Sequence, residues 1–207
     1  MVFVAPGPYR GDAASEPVTL KVLVAGDLGV GKTTLVGSVS EIGPLRTEEV
    51  LTETGRPLDG PERRRGREAG GRAATVVVDF GRITLSETLT LCLLGTPVGA
   101  RSRSLWDELV RGALGAVLLV DPRRPEDHTG AIGHFERHAV PYVVAANRFG
   151  GADHGPTEEV RAALDLGRGV PVLRCDARER DSVRRVLLSV VEHALLVGAA
   201  RRRDALA

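Results

Sequence analysis

The chain has 207 residues, 43% of them hydrophobic, which supports one compact domain with tails and a core large enough to need no disulfide or metal staple. Basic and acidic residues nearly balance, 28 against 27, and only 3% of residues are aromatic, so the sequence offers nucleic acid neither a basic field nor a stacking platform. No apolar run approaches the roughly 20 residues that cross a bilayer, and Cys92 and Cys175 sit within apolar runs as reduced thiols, so the expected location is cytoplasmic, with membrane contact only through a partner.

Residues 1–17 hold three prolines, two glycines and no periodicity, the pattern of a flexible tail. The domain is expected over 18–197, followed by a short tail over 198–207. Val18 to Ala25 is a β-favouring run that stops at Gly26-Asp27-Leu28-Gly29-Val30-Gly31-Lys32-Thr33 and continues into the helix-compatible Thr34 to Val39. From 43 to 74 the hydrophobic pattern gives way to Gly, Arg, Glu and Pro, which predicts one long mobile loop. Thr75 to Phe80 and Leu85 to Leu94 are expected to form an antiparallel pair that bends near Gly81-Arg82. Helices over Ser104 to Leu114, Ala131 to His138 and Glu158 to Leu166 then alternate with strands over Gly115 to Val120, Tyr142 to Asn147 and Val170 to Cys175. The last helix is marked by Val183, Val186, Leu187, Val190, Ala194 and Leu195, spaced three and four apart. Such alternation implies an α/β fold with a mostly parallel sheet, expected to be six-stranded, and helices on both faces.

Gly26-x4-Gly31-Lys32-Thr33 satisfies the P-loop pattern in its required context of strand before and helix after. Glycines let consecutive N–H groups and the positive end of the helix converge on one phosphate cluster. Of the 28 basic residues only Lys21 and Lys32 are lysines. The compact ammonium of Lys32 suits the β and γ phosphates better than a planar guanidinium would. Thr33 offers a hydroxyl to Mg²⁺, a cation that combines few protein oxygens with phosphates and waters. The nucleotide-binding residues expected from the loop are therefore Gly26, Asp27, Leu28, Gly29, Val30, Gly31, Lys32, Thr33 and Thr34.

The sequence resembles the small Ras-like GTPases, and specifically the bacterial branch encoded beside roadblock-domain proteins, above all the actinobacterial conservon GTPases. The resemblance covers Val18 to Leu196. It rests on the P-loop phrase from Val24 to Val36, on Val78-Asp79-Phe80-Gly81-Arg82-Ile83, on Gly95-Thr96-Pro97, on Trp106-Asp107-Glu108-Leu109-Val110-Arg111-Gly112-Ala113 and on Cys175-Asp176-Ala177-Arg178. It implies a Ras-like P-loop NTPase fold, GTP or GDP with Mg²⁺ as ligands, and a switch read by a roadblock/LC7-type partner in a histidine-kinase system, with weak self-association as an option. It also implies that Thr75, four residues before the Asp-Phe pair, closes on Mg²⁺ together with Thr33. Asn147 and Arg148 stand where the family reads the base, and Asp176-Ala177-Arg178 where a backbone N–H meets the base oxygen.

Several positions depart from the family pattern. The second switch, Gly95-Thr96-Pro97-Val98-Gly99, lacks the Asp, the Gly and the Gln expected there. The base-reading segment ends at Gly150 without its carboxylate, leaving either Asp153 or no acidic reader. Leu28 replaces a small residue and is expected to crowd the line of attack on the γ phosphate. Asp121, after a Val-Leu-Leu-Val run, reads as a structural carboxylate in preference to a Walker B ligand. His134 and His138 lack a third ligand and read as a solvated face, as do Arg63 to Arg67 in the long loop. Two functions follow: a nucleotide-dependent switch with very slow hydrolysis, or a non-catalytic pseudo-GTPase that binds nucleotide with relaxed or no base preference.

Overall fold

The computed structural model describes residues 17–43, 45–51, 74–96, 103–125, 129–149 and 156–205. Seven strands form one sheet among these residues: β1 (Val18–Ala25), β2 (Leu45–Leu51), β3 (Ala74–Ser86), β4 (Leu89–Gly95), β5 (Ala113–Val120), β6 (Tyr142–Asn147) and β7 (Val172–Cys175). Their order is β2-β3-β4-β1-β5-β6-β7. From β4 to β7 every neighbouring pair is parallel, while β2–β3 and β3–β4 are antiparallel. The helices are α1 (Lys32–Val39), α2 (Arg103–Val110), α3 (Thr129–Arg137), α4 (Thr157–Ala163) and α5 (Arg180–Asp204).

Alternation along the central strands builds two cores. Val22 and Val24 of β1, with Val117 and Leu119 of β5, meet Leu35, Val36 and Val39 of α1 and Val183, Val186 and Val190 of α5 on one face. Leu23 and Ala25, with Leu118 and Val120, meet Trp106 of α2, Phe135 of α3 and Val160 of α4 on the other. Side chains one residue apart on a strand point to opposite faces, so a strand apolar on both faces must be covered on both. This is the mostly parallel α/β sheet with helices on both sides that the alternating pattern implies.

Three expectations are corrected here. The sheet has a seventh strand because Leu45–Leu51, within the segment read as a loop from 43 to 74, pairs antiparallel with Ala74–Phe80 as an edge strand. Its sequence, Leu-Arg-Thr-Glu-Glu-Val-Leu, carries too much charge to announce a strand, and an edge position tolerates that charge. Residues 52–73, including Arg63 to Arg67, lie outside the described residues. The bend placed at Gly81-Arg82 does not occur: β3 runs through both, and the turn falls at Glu87-Thr88. Gly81 serves close packing instead, since a Cβ there would lie 2.6 Å from Val36 Cγ1 of α1. Finally, the expected tail over 198–207 is largely helical, because the helix-favouring Ala199, Ala200 and Arg201 to Arg203 carry α5 on to Asp204. The expected tail over 1–17 lies outside the described residues apart from Glu16's successor, Pro17, which precedes β1.

Candidate nucleotide site

The P-loop, Asn147-Arg148 and Asp176 to Arg178 gather at the carboxyl ends of the parallel strands, where α/β sheets build their ligand crevices. Gly26 to Gly31 links β1 to α1, with Gly26, Gly29 and Gly31 at φ +143°, +75° and +105°. Gly31 has a second reason to be glycine: a Cβ would lie 2.7 Å from Asn147 Nδ2. Leu35 N–H already donates to the Gly31 carbonyl, so α1 starts at the loop and its first N–H groups face the crevice.

Lys32 is 8% exposed, and its ammonium donates to the Gly26 carbonyl (2.8 Å) and the Asp27 carbonyl (2.9 Å). Burial lowers its pKa, and the charges of Asp27 and Asp79 oppose that shift. The cation is thus stored at the loop that it would share with a phosphate. Thr33 Oγ donates to Asp79 Oδ2 at 2.5 Å. Thr34 is exposed on α1. Leu28 is 82% exposed at the loop.

Thr75 is placed on β3 opposite Val50. It precedes Asp79 by four residues, about 13 Å along a strand, and Asp79 is the β3 residue bonded to Thr33. Sequence reasoning gave Asp79 no role. The available signal was a lone carboxylate in the apolar run Val76-Val77-Val78-Asp79-Phe80.

Asn147 closes β6 and binds both sides of the crevice. Its Nδ2 donates to the Val30 carbonyl at 2.8 Å, and its Oδ1 accepts from Ala177 N–H at 3.0 Å. The P-loop and the segment after β7 are therefore joined through one buried amide. Arg148 is exposed, and its N–H donates to the Cys175 carbonyl. Asp176 accepts from Arg178 through Nε (2.9 Å), Nη2 (2.7 Å) and the backbone N–H (3.1 Å), which holds its carboxyl down at about 2. Asp121 repeats the arrangement with Arg123 at the end of β5, with its pKa lowered by the same bonds. That geometry agrees with its reading as a structural carboxylate. The Arg123 guanidinium also lies 4.8 Å over the Phe149 ring. Val98, Gly99, Gly150 and Asp153 lie outside the described residues.

The other readings resolve simply. His134 stacks on Trp106, 4.8 Å between centroids, and His138 Nε2 is 2.9 Å from Asp107, so both face α2. Cys175 is a buried thiol outside any disulfide, pushed up to about 11 by burial, and Cys92 is a half-buried thiol, likewise outside any disulfide. Among the described residues no helix is long and apolar enough to cross a membrane, and no group of three or more His, Cys, Asp or Glu could hold a metal ion.

A strand, a glycine loop holding a lysine at its mouth, and a helix, set in a doubly covered parallel sheet, define a P-loop nucleotide-binding domain. The chain belongs to the family described as conserved hypothetical ATP binding protein, whose model matches residues 64–196. That match begins after the P-loop, so loop and family speak independently. The fold is similar to that of the G domain of the T. maritima FeoB iron transporter, with 21% identity and a TM-score of 0.56 over 86% of this chain and 99% of that one. It is also similar to the cytosolic domain of the same transporter in a GDP form, with 19% identity and a TM-score of 0.58. The chain spans 64% of the length of that cytosolic domain. No curated protein matches the chain.

Proposed function

We propose that the protein is a nucleotide-dependent switch that binds GTP or a related nucleotide with Mg²⁺ and hydrolyses it very slowly on its own. The observation that carries this reading is the P-loop itself, with Lys32 held within 2.9 Å of the loop carbonyls and the start of α1 behind it. A nucleotide phosphate would take the ammonium as a charge-assisted partner and the loop N–H groups as further donors. Thr33 fits the hard-cation chemistry of Mg²⁺: its proton goes to Asp79, leaving oxygen lone pairs for a metal. Mg²⁺, when bound, would neutralise charge on the phosphates.

Slow turnover follows from the sequence of the second switch, where Val98 stands for a turning glycine and Gly99 for a water-orienting side chain. The resemblance supports a roadblock/LC7-type partner and a cytoplasmic location, peripheral at the membrane through that partner. Chromatography of nucleotide released from acid-quenched protein, together with calorimetry of GTP, GDP and ATP in Mg²⁺, tests the reading. Absence of binding to all three, or equal binding by Lys32→Ala, would overturn it.

A second reading, a pseudo-GTPase with relaxed base preference, is favoured by Asn147. Both ends of its amide are engaged by protein groups, and the Ala177 N–H that would meet a base oxygen is one of them. The family is described by ATP and the structural relatives by GDP, which fits a site that reads phosphates more strictly than bases. Phosphate release by the isolated protein separates the two readings. A switch shows measurable release that Lys32→Ala abolishes, and a pseudo-enzyme shows none.

A further inference from the structure

We propose that the cleft at the amino ends of β5 and β6 is a second ligand site, for a small organic anion with an apolar body and a carboxylate or phosphate head. Nothing in this site depends on the nucleotide reading, because it lies at the opposite end of the sheet. β5 begins at Ala113, on the cleft, and runs parallel to β1, whose far end leads into the P-loop. The cleft encloses about 660 Å³ between the end of α2, the segment before β6 and the last turns of α5. Small-molecule sites occupy roughly 300–1,000 Å³.

The floor is apolar and the rim is cationic. Val110, Val140 and Ala194 line the cleft and are buried, so an apolar body would rest on the edge of the core. Arg111, following α2, and Arg201 of α5 line it as well, and both are exposed. Among the described residues neither guanidinium forms an ion pair. Lys21, the only lysine besides Lys32, stands behind Arg111 and donates its ammonium proton to the Arg111 carbonyl. That bond offsets the negative end of α2, which would otherwise repel an anion. Burial lowers the Lys21 pKa, and the Arg111 charge lowers it further. The two cations therefore repel each other, and an anion at Arg111 would relieve the repulsion. Asp107, an acidic residue on the same wall, is 2.9 Å from His138 Nε2 and is committed there.

A glycine on α5 points the same way. Gly198 stands within this 25-residue helix, where glycine loses more conformational entropy than alanine would. It does not have a positive φ, and a Cβ there would meet nothing within 4 Å among the described residues beyond its own helix. Neither backbone conformation nor close packing requires it. Gly198 lines the cleft, so its missing side chain leaves that volume open.

Calorimetry of the full chain with hexanoate, hexyl phosphate and uncharged 1-hexanol is the test. At least one of the two anions should bind with a Kd of about 1 mM or tighter, and 1-hexanol at least about tenfold more weakly. Arg111→Gln combined with Arg201→Gln should weaken the anion at least about tenfold while melting stays near that of the parent. Gly198→Leu should fill the cleft and remove binding, yet melt at or above the parent's temperature, because leucine favours the helix. Binding of both anions supports a site that reads charge, and binding of hexanoate alone one that reads a carboxylate. Hexyl phosphate alone supports a phosphate head if Lys32→Ala still binds it; if Lys32→Ala does not, the P-loop is its site and the proposal falls. Binding of neither anion, equal binding of 1-hexanol, or parental affinity in either the double arginine variant or Gly198→Leu also overturns it. Each of these failures leaves the nucleotide reading standing.

Discussion

The two ends of the crevice are built differently. At the phosphate end the charged groups meet backbone or one another in arrangements that a ligand could join: Lys32 on two carbonyls, and Thr33 on Asp79. At the base end they are locked in pairs within the protein. Asp176 is forked to Arg178, Asp121 to Arg123, and the Asn147 amide is tied at both ends. A group committed to a protein partner must give it up before it can read a ligand, and a buried group left unpaired costs about 1–3 kcal/mol. The difference teaches that the loops after β5, β6 and β7 spend their polar groups on holding one another and the P-loop together, which on the proposed reading leaves recognition mainly to the phosphate end.

The sharpest way to break that comparison is Lys32→Ala. Removing the one mobile charge at the phosphate end should weaken nucleotide binding roughly 10- to 100-fold, the range of a charge-assisted bond. Calorimetry in Mg²⁺ reads the change directly, and an unchanged affinity would dissolve the distinction between the two ends.

Asn147→Ala tests the structural role of the base end. It leaves the Val30 carbonyl and the Ala177 N–H without the amide that joins them. Stability should fall by about 2–4 kcal/mol, from two orphaned buried groups. In a domain of this size that corresponds to roughly 5–10 °C in melting temperature. A loss of binding with unchanged melting would show instead that Asn147 serves the base.

Base selectivity sharpens the comparison further. GTP and ATP should compete within about a tenfold range, since the paired hydrogen-bond readout that yields larger ratios has no carboxylate at Gly150. A preference above about a hundredfold would relocate recognition to the base end, and Asp153→Ala would then show whether that carboxylate is its source.

The smallest effect is on pH. Asp176 has its pKa lowered by Arg178 to about 2 from an ordinary value of 3.8. Its pairing thus contributes stability that is fully present above about pH 4 and is lost as pH falls towards 2. Asp176→Asn should lower stability modestly at neutral pH, where the contribution is fully present, and match the parent chain below about pH 2, so that the acid limb of the unfolding curve is flattened.

The phosphate end was legible in the sequence because its geometry is local. Gly26 to Thr33 are consecutive, and glycine spacing beside a strand and a helix leaves the backbone few options. The strand and helix order was legible for the same reason, through periodicity in elements such as α5. What was not legible depends on register. Asp79 and Thr33 lie 46 positions apart, and only the pairing of β3 with β4 decides that Asp79 stands at the P-loop. The β2 strand was hidden because an edge strand need not be apolar, and Gly81 read as a bend because a glycine that clears room for Val36 looks the same in sequence as one that turns.

The length of β3 has a mechanical consequence. Its 13 residues pair with β4 only from Phe80 onward, whereas Ala74 to Phe80 pair with β2. Among the described residues the β2–β3 ribbon is thus a cantilever, with its clamp at Asp79 and Phe80 and about 17 Å of overhang to Ala74. A tilt of about 10° at the clamp would carry the far end about 3 Å over that length. The carboxylate bonded to Thr33 therefore sits at the pivot, where the smallest displacement beside the P-loop has the longest arm to act through.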